Sequence, residues 1–307
     1  MDDTTYSVNR RAMDINFEQT DGCGMMLPSV SKHNFMVRMP WVKGLLAVFD
    51  FRRFIEEHGC SPVITDVWGV EHDVIAEDIQ VIFTKSQMKM AKYYDSWQMY
   101  KDNFKKYNCQ AGKCKEEEDY IKNAQLNYQM LQTLTDITDK ELEHIAHPAI
   151  ARVENATKSI SGMLDIMRAT KDNTHKSPLE KSLMICPELL TDPYCKEKIS
   201  QVKKKLVNEY RAGRLPVNGK YTFVVPDLYA ACEYWFLNDP NPEGLLADGE
   251  VCCHLYPDAE KLDCLRAPHL YREHAIRKNL IDNMTADWFT TNAVYVSCQD
   301  LISRILQ

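Results

Sequence analysis

No stretch of this 307-residue chain is apolar for long enough to cross a bilayer. The longest apolar run, residues 44–49, falls far below the ~20 residues that a spanning helix needs. A secretory signal is also lacking, because Met1-Asp2-Asp3 carries acids where such a signal carries a basic region and then an apolar stretch. These absences predict an intracellular, cytoplasmic protein with no membrane partner. They also bear on the 11 cysteines, an odd count in a long chain without an export signal, which predicts reduced thiols rather than disulfides. Several catalytic loops are missing: there is no G-x-x-x-x-G-K-[ST], no G-x-S-x-G and no H-E-x-x-H. Nowhere do two aspartates flank a single residue, and there is neither an internal repeat nor a low-complexity tract.

What is present is ordinary for a globular protein: 45% apolar residues, 26% charged, and a length sufficient for one large or two medium domains. A net charge of −7 argues against indiscriminate nucleic-acid binding but leaves room for a local basic channel. The first third reads as strands. Phe35, Val37 and Met39 alternate with Met36 and Arg38, residues 44–49 suit a buried strand, and Ile79, Val81 and Phe83 alternate again. The middle reads as helical. Trp97, Tyr100, Phe104 and Tyr107 share one helical face, Ile121, Ala124, Tyr128, Leu131 and Leu134 another, and Ile150, Val153, Ile160, Met163 and Met167 a less regular third. Residues 170–195 read as a loop and 201–211 as an exposed helix. Strands return at 221–225, 250–255 and 292–298. The order β, α, β predicts an α+β chain in which a helical segment joins two β modules.

Three pieces of the first third carry candidate chemistry. Thr20-Asp21-Gly22-Cys23-Gly24 is a sharp turn before strands. Val37-Arg38-Met39-Pro40-Trp41-Val42-Lys43-Gly44 sets a lysine between two strand segments. Lys85-Ser86-Gln87-Met88-Lys89 follows directly on a strand, where lysines with a serine and a glutamine suit phosphate. Taken singly, each is as well explained by a structural turn or by solvated lysines. Taken in order, they resemble the first double-psi β-barrel of the RNA-silencing type of RNA-dependent RNA polymerase, and single-chain phage RNA polymerases are similar. That family has a T-D-G-x-G turn, an arginine strand leading into K-G, and an S-Q/M-x-K-F element. The last third resembles the approach to the second barrel: Lys220-Tyr-Thr-Phe-Val-Val-Pro226, Leu246-Ala-Asp-Gly-Glu-Val251, and Leu265-Arg266-Ala-Pro268-His269 through Ile276-Arg277.

The resemblance implies a double-psi β-barrel over residues 1–92, a helical connector over 93–214 and the start of a second barrel over 215–307. It implies template-directed RNA synthesis from nucleoside triphosphates on an RNA or a DNA template. Matched residue by residue, it makes Lys43 and Lys89 the catalytic lysines, and it sets Lys85, Gln87, Arg38, Arg266, His269 and Arg277 against substrate or nucleic-acid phosphates. There are departures. Tyr271-Arg272-Glu273-His274 stands where the family has H-P-G-D, and Met90 stands where it has phenylalanine. The family's D-x-D-G-D loop, which holds Mg²⁺, has no counterpart. Residues 292–307 resemble the run-up to it, so the second barrel is expected to be incomplete and this chain alone to bind no magnesium and to be inactive. The aspartates would then come from a further C-terminal segment or a second chain. A non-catalytic RNA- or nucleotide-binding protein derived from such a polymerase is the alternative. The eight lysines between residues 85 and 115 line either a nucleic-acid channel or, as the aromatic spacing favours, the solvated face of an ordinary helix. Cys109 with Cys114, and Cys252, Cys253 and His254 with Cys264 and His269, lack the two regular close pairs of a zinc site, so no metal site is expected.

Overall fold

Alternating apolar residues and short turns produce, in the computed structural model, strands β1 (Cys23–Met26), β2 (Phe35–Met39) and β3 (Val42–Val48), helix α1 (Phe51–His58), and strands β4 (Val63–Thr65), β5 (Glu71–Asp73) and β6 (Val81–Ile82). Helix α2 (Trp97–Lys106) and strand β7 (Gly112–Glu116) follow. Five more helices come next: α3 (Tyr128–Gln132), α4 (Asp139–Asn155), α5 (Ile160–Ile166), α6 (Pro178–Ile185) and α7 (Pro193–Arg211). The last third holds β8 (Val224–Pro226), α8 (Leu228–Phe236), β9 (Glu250–Cys252), β10 (Lys261–Cys264), β11 (Ala275–Asn279), α9 (Asn283–Trp288) and β12 (Val294–Val296). The structure describes residues 4–5, 20–132, 134–173, 175–265 and 274–300. The chain is a mixed α+β protein with several sheets.

The described residues fall into two compact units. The first takes in those up to Asp119, Thr222–Cys264 and those from Ala275 onward; the second takes in Tyr120–Tyr221 with Leu265 and His274. Helix α2 and strand β7 lie in the segment expected to be a helical connector, yet they belong to the sheet-bearing unit, because β7 pairs with the outer edge of β2. That unit holds two five-stranded sheets, in the orders β6-β1-β3-β2-β7 and β10-β11-β9-β12-β8. In the first, β1 runs parallel to β3 while β6, β2 and β7 pair antiparallel to their neighbours. In the second, β8 is parallel to β12 and β9 to β11.

One apolar core serves both sheets. Met25, Ala47, Phe49, Phe51 and Phe54 meet Val225, Leu228, Cys232, Trp288, Phe289 and Tyr295. Each large side chain so buried contributes about 1.5–3 kcal/mol. A polar seam runs alongside. Asn34 Nδ2 donates to Thr291 Oγ1 at 2.7 Å, and Asn34 Oδ1 accepts from Val48 N at 2.8 Å. Glu117 accepts from the backbone N–H groups of Asn34 and Asn292. Burial raises the Glu117 carboxyl above its ordinary value, and the two N–H donors oppose that rise. With every partner satisfied, such a network fixes the register of one sheet on the other.

The helical unit packs Ala156, Ile166, Leu183, Leu190, Cys195 and Ile199 together. It departs from the periodicity in three places. Residues 121–127, expected to be helical, run extended: Ala124 N donates to Gly219 O and Leu126 N to Leu215 O. The pattern from Ile150 to Met167 is two helices, because the Ser159 side chain caps a new helix by accepting from Gly162 N. Residues 170–195, expected to be a loop, contain α6, started by a Ser177/Glu180 capping box with Pro178 in the first turn.

Candidate functional site

The three pieces singled out in the first third converge on one buried side chain. Gln87 is fully buried; its Nε2 donates to Leu45 O at 2.8 Å and to Gly22 O at 3.4 Å, and its Oε1 accepts from Thr84 N at 3.0 Å. Ser86 Oγ accepts from Gly22 N at 2.8 Å. The glycines make this possible. A methyl on Gly24 would stand 2.5 Å from Gln87 Oε1 and closer still to the Ile82 carbonyl oxygen. Gly44, at φ +153°, would put a methyl 2.6 Å from Gln87 Nε2. Only glycine lets these backbones close around the amide. Gln87, expected on the phosphate-facing surface, thus lies inside and orders the loops that carry the cations.

Around this plug the backbone fixes the lysines. Lys43 N donates to Gln87 O at 3.2 Å and Lys89 N to Trp41 O at 3.0 Å, so residues 87–89 run antiparallel to the start of β3. Val42 and Met88 face each other there and pack with Tyr100. Across β2, Arg38 stands directly opposite Lys43. Arg38, Lys43, Lys85 and Lys89 are all exposed, and among the described residues none has a carboxylate partner. Two like charges directly across a strand pair repel one another. An anion laid over them removes that penalty. Helix α2 supports the site from behind: Trp97, Tyr100 and Phe104 face Val42 and Met88, while Lys101, Lys105 and Lys106 are solvated on its other side. Tyr100 OH donates to the Pro40 carbonyl at 2.7 Å and steadies the β2–β3 turn.

Other expected site residues lie elsewhere. Arg277, on β11, forms a two-point ion pair with Asp300; the two side chains are 13% and 3% exposed. That pairing holds its guanidinium above the ordinary arginine range and leaves little of it for a phosphate. Arg266 and His269 lie outside the described residues. Reading the sequence alone also missed Ser86 and Tyr100 as organisers of the site. The aromatic face of α2 was visible, but not what it touched.

Among the described residues no group of three or more His, Cys, Asp or Glu is arranged to hold a metal ion. The Lys43–Lys89 cluster is wholly cationic, and ammonium groups cannot ligate Mg²⁺. No helix among the described residues is long and apolar enough to cross a membrane.

A buried amide closing glycine loops beneath a row of cations is an arrangement built to present positive charge from a rigid hairpin, and the chain that builds it is related to an RNA polymerase. No model of a known protein family matches it. The relative is the DNA-directed RNA polymerase YonO of Bacillus phage SPbeta, 49% identical over 308 residues. The match takes in 100% of this chain and 36% of that protein, so the chain spans little more than a third of its relative's length.

Proposed function

We propose that this chain contributes the lysine-bearing part of a two-barrel, DNA-directed RNA polymerase, with its first sheet forming a double-psi β-barrel. The observation that carries the reading is the exposed row Arg38, Lys43 and Lys89, facing no carboxylate among the described residues and held from beneath by Gln87. Its likeness over the whole chain to a phage polymerase supports the same reading. Nucleotidyl transfer puts negative charge on a five-coordinate phosphorus and on departing pyrophosphate. Cations already fixed in place stabilise that charge without reorganising. Lys43 and Lys89 take this role; Arg38 and Lys85 hold the phosphates of the bound triphosphate or strand. The carboxylates that would hold magnesium are, in this reading, supplied by an acidic loop outside these residues or by a second chain.

The test is RNA synthesis by the full-length protein on single-stranded DNA and RNA templates. Lys89→Ala is expected to lower the rate on DNA by at least ~10²-fold, the scale of losing one preorganised group, with the thermal midpoint unchanged. Near-normal synthesis by this variant would remove Lys89 from the chemistry. Equal synthesis on RNA would correct the template class.

A further inference from the structure

The turn between β2 and β3 is two residues long, Pro40 and Trp41, since Met39 pairs directly with Val42. Trp41 sits at φ +64°. Proline followed by a residue of positive φ is the pattern of a type II turn, and glycine is the usual second residue. For a bulky side chain this is a strained conformation. Core packing does not account for the strain, because Trp41 is 53% exposed and stacks on no described ring. Yet the backbone is held from two directions: Trp41 O accepts from Lys89 N at 3.0 Å, and the Pro40 carbonyl accepts from Tyr100 OH at 2.7 Å. A large aromatic face is therefore presented to solvent on a fixed stem. It stands two residues before Lys43, is bonded through its backbone to Lys89, and lies on the hairpin that carries Arg38.

We propose that Trp41 is a stacking platform for an unpaired base of a nucleic-acid strand whose phosphates lie on Arg38, Lys43 and Lys89. The proposal rests on the reading of that cationic surface as a nucleic-acid site and adds to it a contact with the base. Cations alone attract any polyanion, whereas an aromatic face among them discriminates in favour of strands that carry bases, with little regard to sequence. Stacking on a base would give a use to the tryptophan at a turn that glycine would form with less strain.

The experiment titrates the full-length protein with fluorescently labelled oligothymidylate, oligouridylate and an abasic oligomer of equal length, at one salt concentration. Wild type should bind the base-bearing strands more tightly than the abasic one. Trp41→Gly should lose roughly tenfold in affinity for one or both base-bearing strands, keep its abasic affinity within about twofold, and melt no lower than wild type because glycine relieves the turn. Trp41→Tyr should recover most of the loss. Loss on the DNA or on the RNA strand supports the proposal and names the strand. Base-bearing strands bound equally by wild type and Trp41→Gly overturn it while leaving the cationic site intact. A wild-type protein that binds none of the three oligomers overturns the nucleic-acid reading itself.

Discussion

Both sheets of the larger unit carry positive side chains, but they treat them differently. On the second sheet, Arg277 is locked against Asp300, and Lys278 meets Glu250 at 2.8 Å across the β11–β9 pairing. On the first, Arg38 and Lys43 face each other across β2 and β3, with Lys89 beside them and no acid in reach among the described residues. The second sheet uses cations to close its own structure. The first pairs Lys113 with Glu116 on β7 but leaves Arg38 and Lys43 for something else, at a cost in self-repulsion that an anionic ligand would remove. Counting lysines and arginines hides this difference; it depends on who sits opposite whom.

Breaking the internal pair should give the largest effect. Arg277→Ala takes from the almost fully buried Asp300 carboxylate the guanidinium that pairs with it at two points. Losing one partner of a buried pair costs about 3–5 kcal/mol, so the chemical-denaturation midpoint should fall sharply. Nucleic-acid affinity, measured well below the new melting temperature, should hold. A variant that melts like wild type but binds strands poorly would move Arg277 to the ligand side of the comparison.

The free pair should answer in the opposite way. Arg38→Ala and Lys43→Ala each remove a repulsion and no partner, so stability should stay within about 0.5 kcal/mol of wild type. Binding should weaken, and the slope of log affinity against log salt should shrink by about 0.7–0.9 for each phosphate that the protein no longer neutralises. An unchanged slope would mean that these cations touch no phosphate.

The sequence revealed this contrast unevenly. Alternation located β2 and β3, and the resemblance picked out the glycine turn, the Lys-Gly step and the lysine element. Neither showed that they meet at Gln87. A glutamine beside two lysines reads as surface, because nothing in the chain order reveals that Gly22 and Leu45 will offer it buried carbonyls. Helix α8, LYAACEYWF, has mostly buried residues and so lacks the one-sided stripe that marks a surface helix. Strand β6 is only 2 residues long, too short for alternation to define its ends. Helix α6 was legible, because Ser177-Pro178-Leu179-Glu180 spells a capping box, but weak apolar periodicity outweighed it. The pairing of Arg277 was invisible for the same reason as that of Gln87: its partner Asp300 lies 23 residues away.

A third cation sharpens the comparison because pH can remove its charge. His72, on β5, sets Nδ1 2.9 Å from Glu77 and Nε2 3.3 Å from Asp66. The hydrogen bond to Glu77, with that to Asp66, raises its pKa above the ordinary value of 6.5 despite partial burial. The folded state therefore holds the proton more tightly than the unfolded chain. The resulting stability is fully present below about pH 6.5 and is lost as pH rises through the raised folded value. Asp66 is also the acceptor for Trp68 N at 2.8 Å and Val70 N at 2.9 Å, so those amides report on the β4–β5 hairpin. Their protection from hydrogen exchange, corrected for the intrinsic rate, should decline in wild type as pH rises above the ordinary histidine value and through the raised folded one, and stay level in His72→Gln. The effect should be small, as for any partly exposed ion pair. Level protection in wild type would mean that the histidine is held by shape rather than by charge, and would remove it from the cations, such as Arg277 and Lys278, that this unit neutralises for its own stability.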